Sequence, residues 1–173
     1  MAQQHHRITA AGGRVVAIVI DPPERNAAMV DKLGLPFPIL SDPDGAAAIR
    51  PYDVWDDEGS MAKPAVVVVR PDGTEAFRQV GGDFADRLTE DELVDRLQGL
   101  NLPGTTQEAP RAGDSAPGPK AVQLATLPAY YRGAKFAVTA VKGQVPEAQD
   151  TAQRLLEEYE RYLAALDWHQ ERR

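Results

Sequence analysis

Three histidines stand in the chain, His5, His6 and His169. Neighbouring histidines such as His5 and His6 do not aim at one point, whereas metal-binding pairs on a helix are spaced three or four apart. All three are therefore expected on solvated surface, and no metal site is expected. The 173 residues contain no cysteine, which excludes a disulfide, a thiolate metal site, an iron–sulfur cluster and a thiolate nucleophile within this chain. Sulfur is left only in Met1, Met29 and Met61. A thioether oxidises to a sulfoxide, but that is ordinarily damage repaired by a separate reductase and does not replace a thiol in turnover. Asp42, Asp44, Asp56, Asp57 and Glu58 are grouped acids. The Asp-x-Asp-Gly fragment at 42–45 lacks the later ligands and closing glutamate of a calcium loop, so it reads as a turn. Gly12-Gly13 and Gly81-Gly82 do not meet the dinucleotide-binding fingerprint, and no cofactor is expected.

Two further groupings bear on binding. Lys63-Pro64, with Asp21 and Trp55, is the candidate substrate groove; in the plainer reading Pro64 shapes a strand entrance, Asp21 caps a helix and Trp55 packs a loop. Tyr130-Tyr131-Arg132 with Lys135 and Phe136 is aromatic and basic. Aromatic residues at helical spacing read first as core, and second as a surface for a partner or small anion. The formal charge of −7 disfavours a nucleic-acid partner, because affinity for phosphate backbones rests on clustered Lys and Arg. No apolar run approaches the length of a membrane span, and Met1 to Arg7 is polar, so the chain reads as cytoplasmic with no membrane partner.

The elements that must position these residues follow from periodicity and punctuation. A helix is expected over Ala2–Ala11, ended by Gly12-Gly13, and a buried parallel strand over Arg14–Ile20. Asp21 as N-cap with Pro22-Pro23 in the first turn opens a helix to about Leu33, closed by Gly34. A short extended segment over Leu35–Leu40, a small helix over Gly45–Tyr52 and a polar loop over Val54–Lys63 come next. Pro64–Val69 is a strand, Arg70-Pro71-Asp72-Gly73 a turn and Thr74–Val80 the returning strand. Thr89-Glu90-Asp91-Glu92 is a capping-box opening for a helix through Leu97. Residues 99–122 are rich in Pro and Gly and read as a linker or surface strap. Two helical patterns, about Leu124–Lys142 and Pro146–His169, then form a hairpin over 123–173.

This order resembles the thioredoxin fold, and in particular the peroxiredoxin-like alkyl hydroperoxide reductase/thiol-specific antioxidant (redoxin) family. The segments carrying the resemblance are Val15 to Asp21, Leu35 to Asp42 and Pro64 to Gly73, within residues 1–98. It implies an α/β, thioredoxin-like three-layer sandwich, and a cis-proline at the strand head, which here would be Pro64. It also implies thiol-dependent peroxide or disulfide reduction, from a strand and a cysteine-bearing loop that precede the helix with which this chain begins. That unit has no match here, so the domain reads as N-terminally truncated, no catalytic residue carries over, and the chain is expected to be inactive as it stands. Two functions compete. One is an oxidoreductase whose cysteine motif has been lost from the N-terminal side. The other is a non-enzymatic interaction module that forms a homodimer, or holds a protein partner, through a sheet edge left open by the missing strand or through the C-terminal helices.

Overall fold

The structure, a computed structural model, describes every residue except 83–85, 87, 112 and 172–173. It divides into two compact units, Met1–Gly118 and Pro119–Arg173.

In the first unit the chain opens with helix α1 (His5–Ala10), shorter than the sequence pattern because Met1–Gln4 form a turn instead of a first helical turn. Strand β1 (Ala17–Val19) pairs in parallel with β2 (Ile39–Ser41), and α2 (Pro23–Leu33) crosses between them. The buried seven-residue strand expected from Arg14 to Ile20 is corrected here: three residues pair, and Val16 is 51% exposed. β-branched composition favours extended backbone, but a strand buried throughout needs partners along its length, and among the described residues β1 pairs with β2 alone. Gly34 ends α2 in the left-handed region at φ 59°, where it bears no Cβ penalty.

The expected small helix at 45–52 is a run of turns, and the loop at 54–63 contains a two-residue hairpin, β3 (Trp55–Asp56) with β4 (Met61–Ala62). The turns are held by a side chain rather than a helical ladder: the Asp42 carboxylate collects the N–H groups of Ala47, Ala48 and Ile49 at 3.0, 2.9 and 2.8 Å. The Pro-Asp-Gly turn joins β5 (Ala65–Val69) to β6 (Glu75–Val80) in an antiparallel pair with an irregularity at Val68/Val69. Helix α3 (Glu90–Gln98) begins with the expected capping box. Thr89 Oγ1 accepts from the Glu92 N–H, and the Glu92 carboxylate accepts from the Thr89 N–H at 3.0 Å.

Helices α1 and α3 close on each other around Ile8, Ala11, Leu93, Val94 and Leu97, with Val15, Val66, Val68 and Leu100 against this cluster. Both β1's approach and β5 therefore rest on one helical layer. Yet the strands form three separate two-stranded sheets, β1–β2, β3–β4 and β5–β6. Mixed helices and strands in small sheets are compatible with a thioredoxin-like α/β fold.

Residues 99–111 and 113–118 lie along this unit as a strap. Thr105 N–H reaches Thr9 O at 2.8 Å, and Ala116 N–H reaches Glu24 O at 3.0 Å. The Gln107 side chain behaves like a short piece of strand: its Oε1 accepts from Val15 N–H at 2.8 Å and its Nε2 donates to Val15 O at 2.6 Å.

The second unit is a helical hairpin of α4 (Leu127–Gln144) and α5 (Gln149–Gln170), each introduced by a 3₁₀ turn, Leu124–Thr126 and Pro146–Ala148. α4 continues through Gly143, which the sequence pattern placed in the connection, so the joint is the single extended Val145 and the Pro146 turn. Tyr131 packs between Tyr159 and Tyr162 at ring distances of 5.8 and 5.3 Å, and Lys135 pairs with Glu160 at 2.9 Å. No helix among the described residues is long and apolar enough to cross a membrane.

Candidate functional site

The proposed groove residues sit in three local settings. Asp21 follows the C-terminal end of β1, exposed. It does not cap α2, as the sequence suggested; the N-cap is Pro22, which has no side chain able to accept a hydrogen bond. Its carboxylate instead lies 3.6 Å from Arg25, and its carbonyl accepts from Asn26 Nδ2 at 3.1 Å and from Ser41 Oγ. The result ties the end of β1 to α2 and to β2 at once. Asn26 is buried by this duty, at 5% exposure. The sequence pattern did not single out Asn26, whose signal is its place five residues after the acid that follows the strand.

Trp55 belongs to a second cluster. The Arg50 guanidinium lies 4.3 Å over its ring, and a Cβ on Gly45 would stand 2.6 Å from it. Gly45 also has φ +73°, so both space and backbone conformation call for glycine there. Asp42 underlies this cluster: 3% exposed, it holds three backbone N–H groups, and the bond from Ile49 is the first cause that lowers its pKa, against the opposing effect of burial. The acid that resembled part of a calcium loop is thus an anchor for turns. Among the described residues no group of three or more His, Asp or Glu side chains is placed to hold a metal ion.

Lys63 and Pro64 form the third setting. Lys63 N–H donates to Val54 O at 2.8 Å, and Pro64 O accepts from Gly81 N–H at 2.8 Å, so the pair joins the small hairpin to the β5–β6 ladder. The peptide between them is trans, in contrast to the cis-proline that the family resemblance implies. An X–Pro bond favours trans by about 0.5–1 kcal/mol unless tertiary contacts hold it otherwise. Among the described residues no hydrogen bond, ion pair or ring contact links Asp21, Trp55 and the Lys63-Pro64 pair to one another.

An open cleft of about 490 Å³ lies on another side of α2, between Pro23, Ala27 and Val30, the β2 residues and the strap at Pro110 and Arg111. Its walls are mainly apolar, and no local motif announces it, since the strap that makes one wall is remote in the chain.

The unit so described is a mixed α/β body, compatible with a thioredoxin-like fold, without a nucleophilic sulfur. Residues 1–76 match the model of the AhpC/TSA family. Over these residues the chain is similar to that family, as the strand and turn segments suggested. Neither a curated protein nor a solved structure gives a match.

Proposed function

We propose that this chain is a redoxin-family body that performs no thiol redox turnover by itself. The observation carrying the proposal is the absence of cysteine from all 173 residues. Reduction of a peroxide by this family's chemistry transfers an oxygen atom to a thiolate, giving a sulfenic acid, and no hydroxyl, imidazole or thioether takes that place in a cycle. The test is peroxide consumption by the purified, mass-verified chain with thioredoxin, thioredoxin reductase and NADPH. The expected rate equals that of the chain-free control; consumption proportional to the chain would overturn the proposal.

A second reading, an interaction module on a thioredoxin-fold remnant, is favoured by a specific observation. Among the described residues β1 has β2 alone as a partner and β5 has β6 alone, while Val15 ahead of β1 and Val66 and Val68 of β5 pack against the α1–α3 cluster. Two half-sheets on one layer offer edges to an extended segment from outside these residues, and unpaired edges are the usual place for such addition. In this reading the body is an N-terminally truncated three-layer sandwich. Lys63, Pro64, Asp21 and Trp55 line the side where a thiol-bearing segment would meet its substrate. The Pro/Gly-rich stretch 99–122 and the hairpin 123–173 are appendages to a domain ending near residue 98, and the chain works in the cytoplasm. Light scattering of the full chain at high concentration tests its dimer form: association is expected, and a strict monomer would count against it.

A further inference from the structure

Strand β2 has two edges, and β1 takes one. Pro38 O accepts from Ala17 N–H at 3.0 Å and Asp42 N–H donates to Val19 O at 2.8 Å, so residues 38, 40 and 42 turn their main-chain groups towards β1. The residues between them turn the other way, because successive strand residues point N–H and C=O to opposite edges. Among the described residues the main-chain N–H and C=O of Ile39 and Ser41 form no hydrogen bond.

The cleft beside α2 runs along this bare edge. Its wall takes Pro38, Ile39, Leu40 and Ser41 in succession. Side chains of consecutive strand residues alternate between the two faces, so a cleft that meets four in a row follows the edge and not one face. Pro23, Ala27 and Val30, at steps of four and three along α2, supply an apolar side, and Pro110 and Arg111 of the strap supply another. We propose that the cleft binds an extended peptide, which adds to β2 as a third strand with an apolar side chain against Ala27 and Val30 and a carboxylate at Arg111.

The exposed groups select that occupant. Ile39 and Ser41 present two donors and two acceptors at strand spacing, a pattern that another extended main chain matches. A hydrocarbon tail would fill the apolar sides but shut these four groups from water without replacing their bonds. Arg111 is the one charged residue among the described walls, and it forms no ion pair or hydrogen bond with any described residue, so an anionic group is its complement. Leu40, 50% exposed in the middle of the strand, leaves the approach open. This edge is separate from those of β1 and β5, and the proposal rests on neither function argued above.

Fluorescence anisotropy tests it, with the full chain titrated into a labelled peptide of sequence Val-Thr-Val-Glu. A twin peptide N-methylated at every residue and the fatty acid decanoate, an apolar anion without a peptide main chain, are the comparisons. The peptide is expected to saturate below millimolar concentration, the twin to bind at least tenfold more weakly, and the Ile39 and Ser41 amides to exchange hydrogen more slowly in the complex. Arg111→Glu and Ala27→Phe should each raise the dissociation constant at least tenfold without lowering the melting temperature, and Arg111→Glu should bind Val-Thr-Val-Lys more tightly than the wild type does. A peptide that does not bind at millimolar concentration would overturn the proposal. So would a twin or decanoate that binds as tightly as the peptide, which would make the cleft a small-molecule site, or binding that neither variant weakens.

Discussion

Asp42 shows how one side chain can decide a region's conformation. Its carboxylate replaces a helical ladder over 47–49 with three N–H bonds to a single acceptor, and these lower its pKa. A carboxyl whose folded pKa lies below its unfolded value stabilises the fold in full above the unfolded value, and that contribution is lost as pH falls through the folded one. Asp42→Asn should therefore lower stability at neutral pH and flatten the acid limb of the stability curve, with little further loss between pH values above and below the ordinary aspartate range. Urea titrations of both proteins at neutral pH and near pH 3 would measure it; parallel acid limbs in the two proteins would count against the role. Ile8, at 2% exposure, makes the other residue-scale prediction. Ile8→Ala should cost about 2–5 kcal/mol, the range for a large aliphatic side chain lost from a closed core.

Among the elements, the strap and the α3 entrance are held by identifiable bonds. Gln107→Ala removes both side-chain bonds to Val15 and leaves that residue's partly buried N–H and C=O without them. The expected loss is about 1–3 kcal/mol, with faster hydrogen exchange at the Val15 amide. Unchanged exchange there would show that the strap is not anchored through Gln107. Thr89→Ala should cost about 1 kcal/mol by removing the side-chain half of the capping box, visible in the urea midpoint with an unchanged slope. The capping box was legible from four consecutive residues because both of its bonds are local. The pairing of Gln107 with Val15 was not, because nothing in a Pro/Gly-rich stretch says which distant backbone it will meet.

At the scale of the whole molecule, treatment with hydrogen peroxide should add oxygen stoichiometrically and not catalytically. Met29 and Met61, 47% and 50% exposed, are the sites where a +16 Da adduct is expected by mass spectrometry. Oxidation that continues to consume peroxide after these sites are saturated would contradict the cysteine-free chemistry proposed above. The two-unit division has a counterpart in composition, since the helical hairpin follows a stretch nearly devoid of large apolar residues.

Residue chemistry, helix starts and the Pro-Asp-Gly hairpin were determined by sequence alone, since composition and contacts a few residues apart suffice for them. Tertiary structure alone decided how many residues of Arg14–Ile20 pair, that Asp21 serves through its carbonyl and not as a cap, and that Lys63-Pro64 is trans. Pairing, burial and convergence of side chains depend on partners far along the chain, and one-dimensional spacing does not carry that information. The same reason separates the aromatic residues of α4: Tyr131 turns to α5 and Phe136 away from it, a difference of helical phase that mattered only once the second helix had a position.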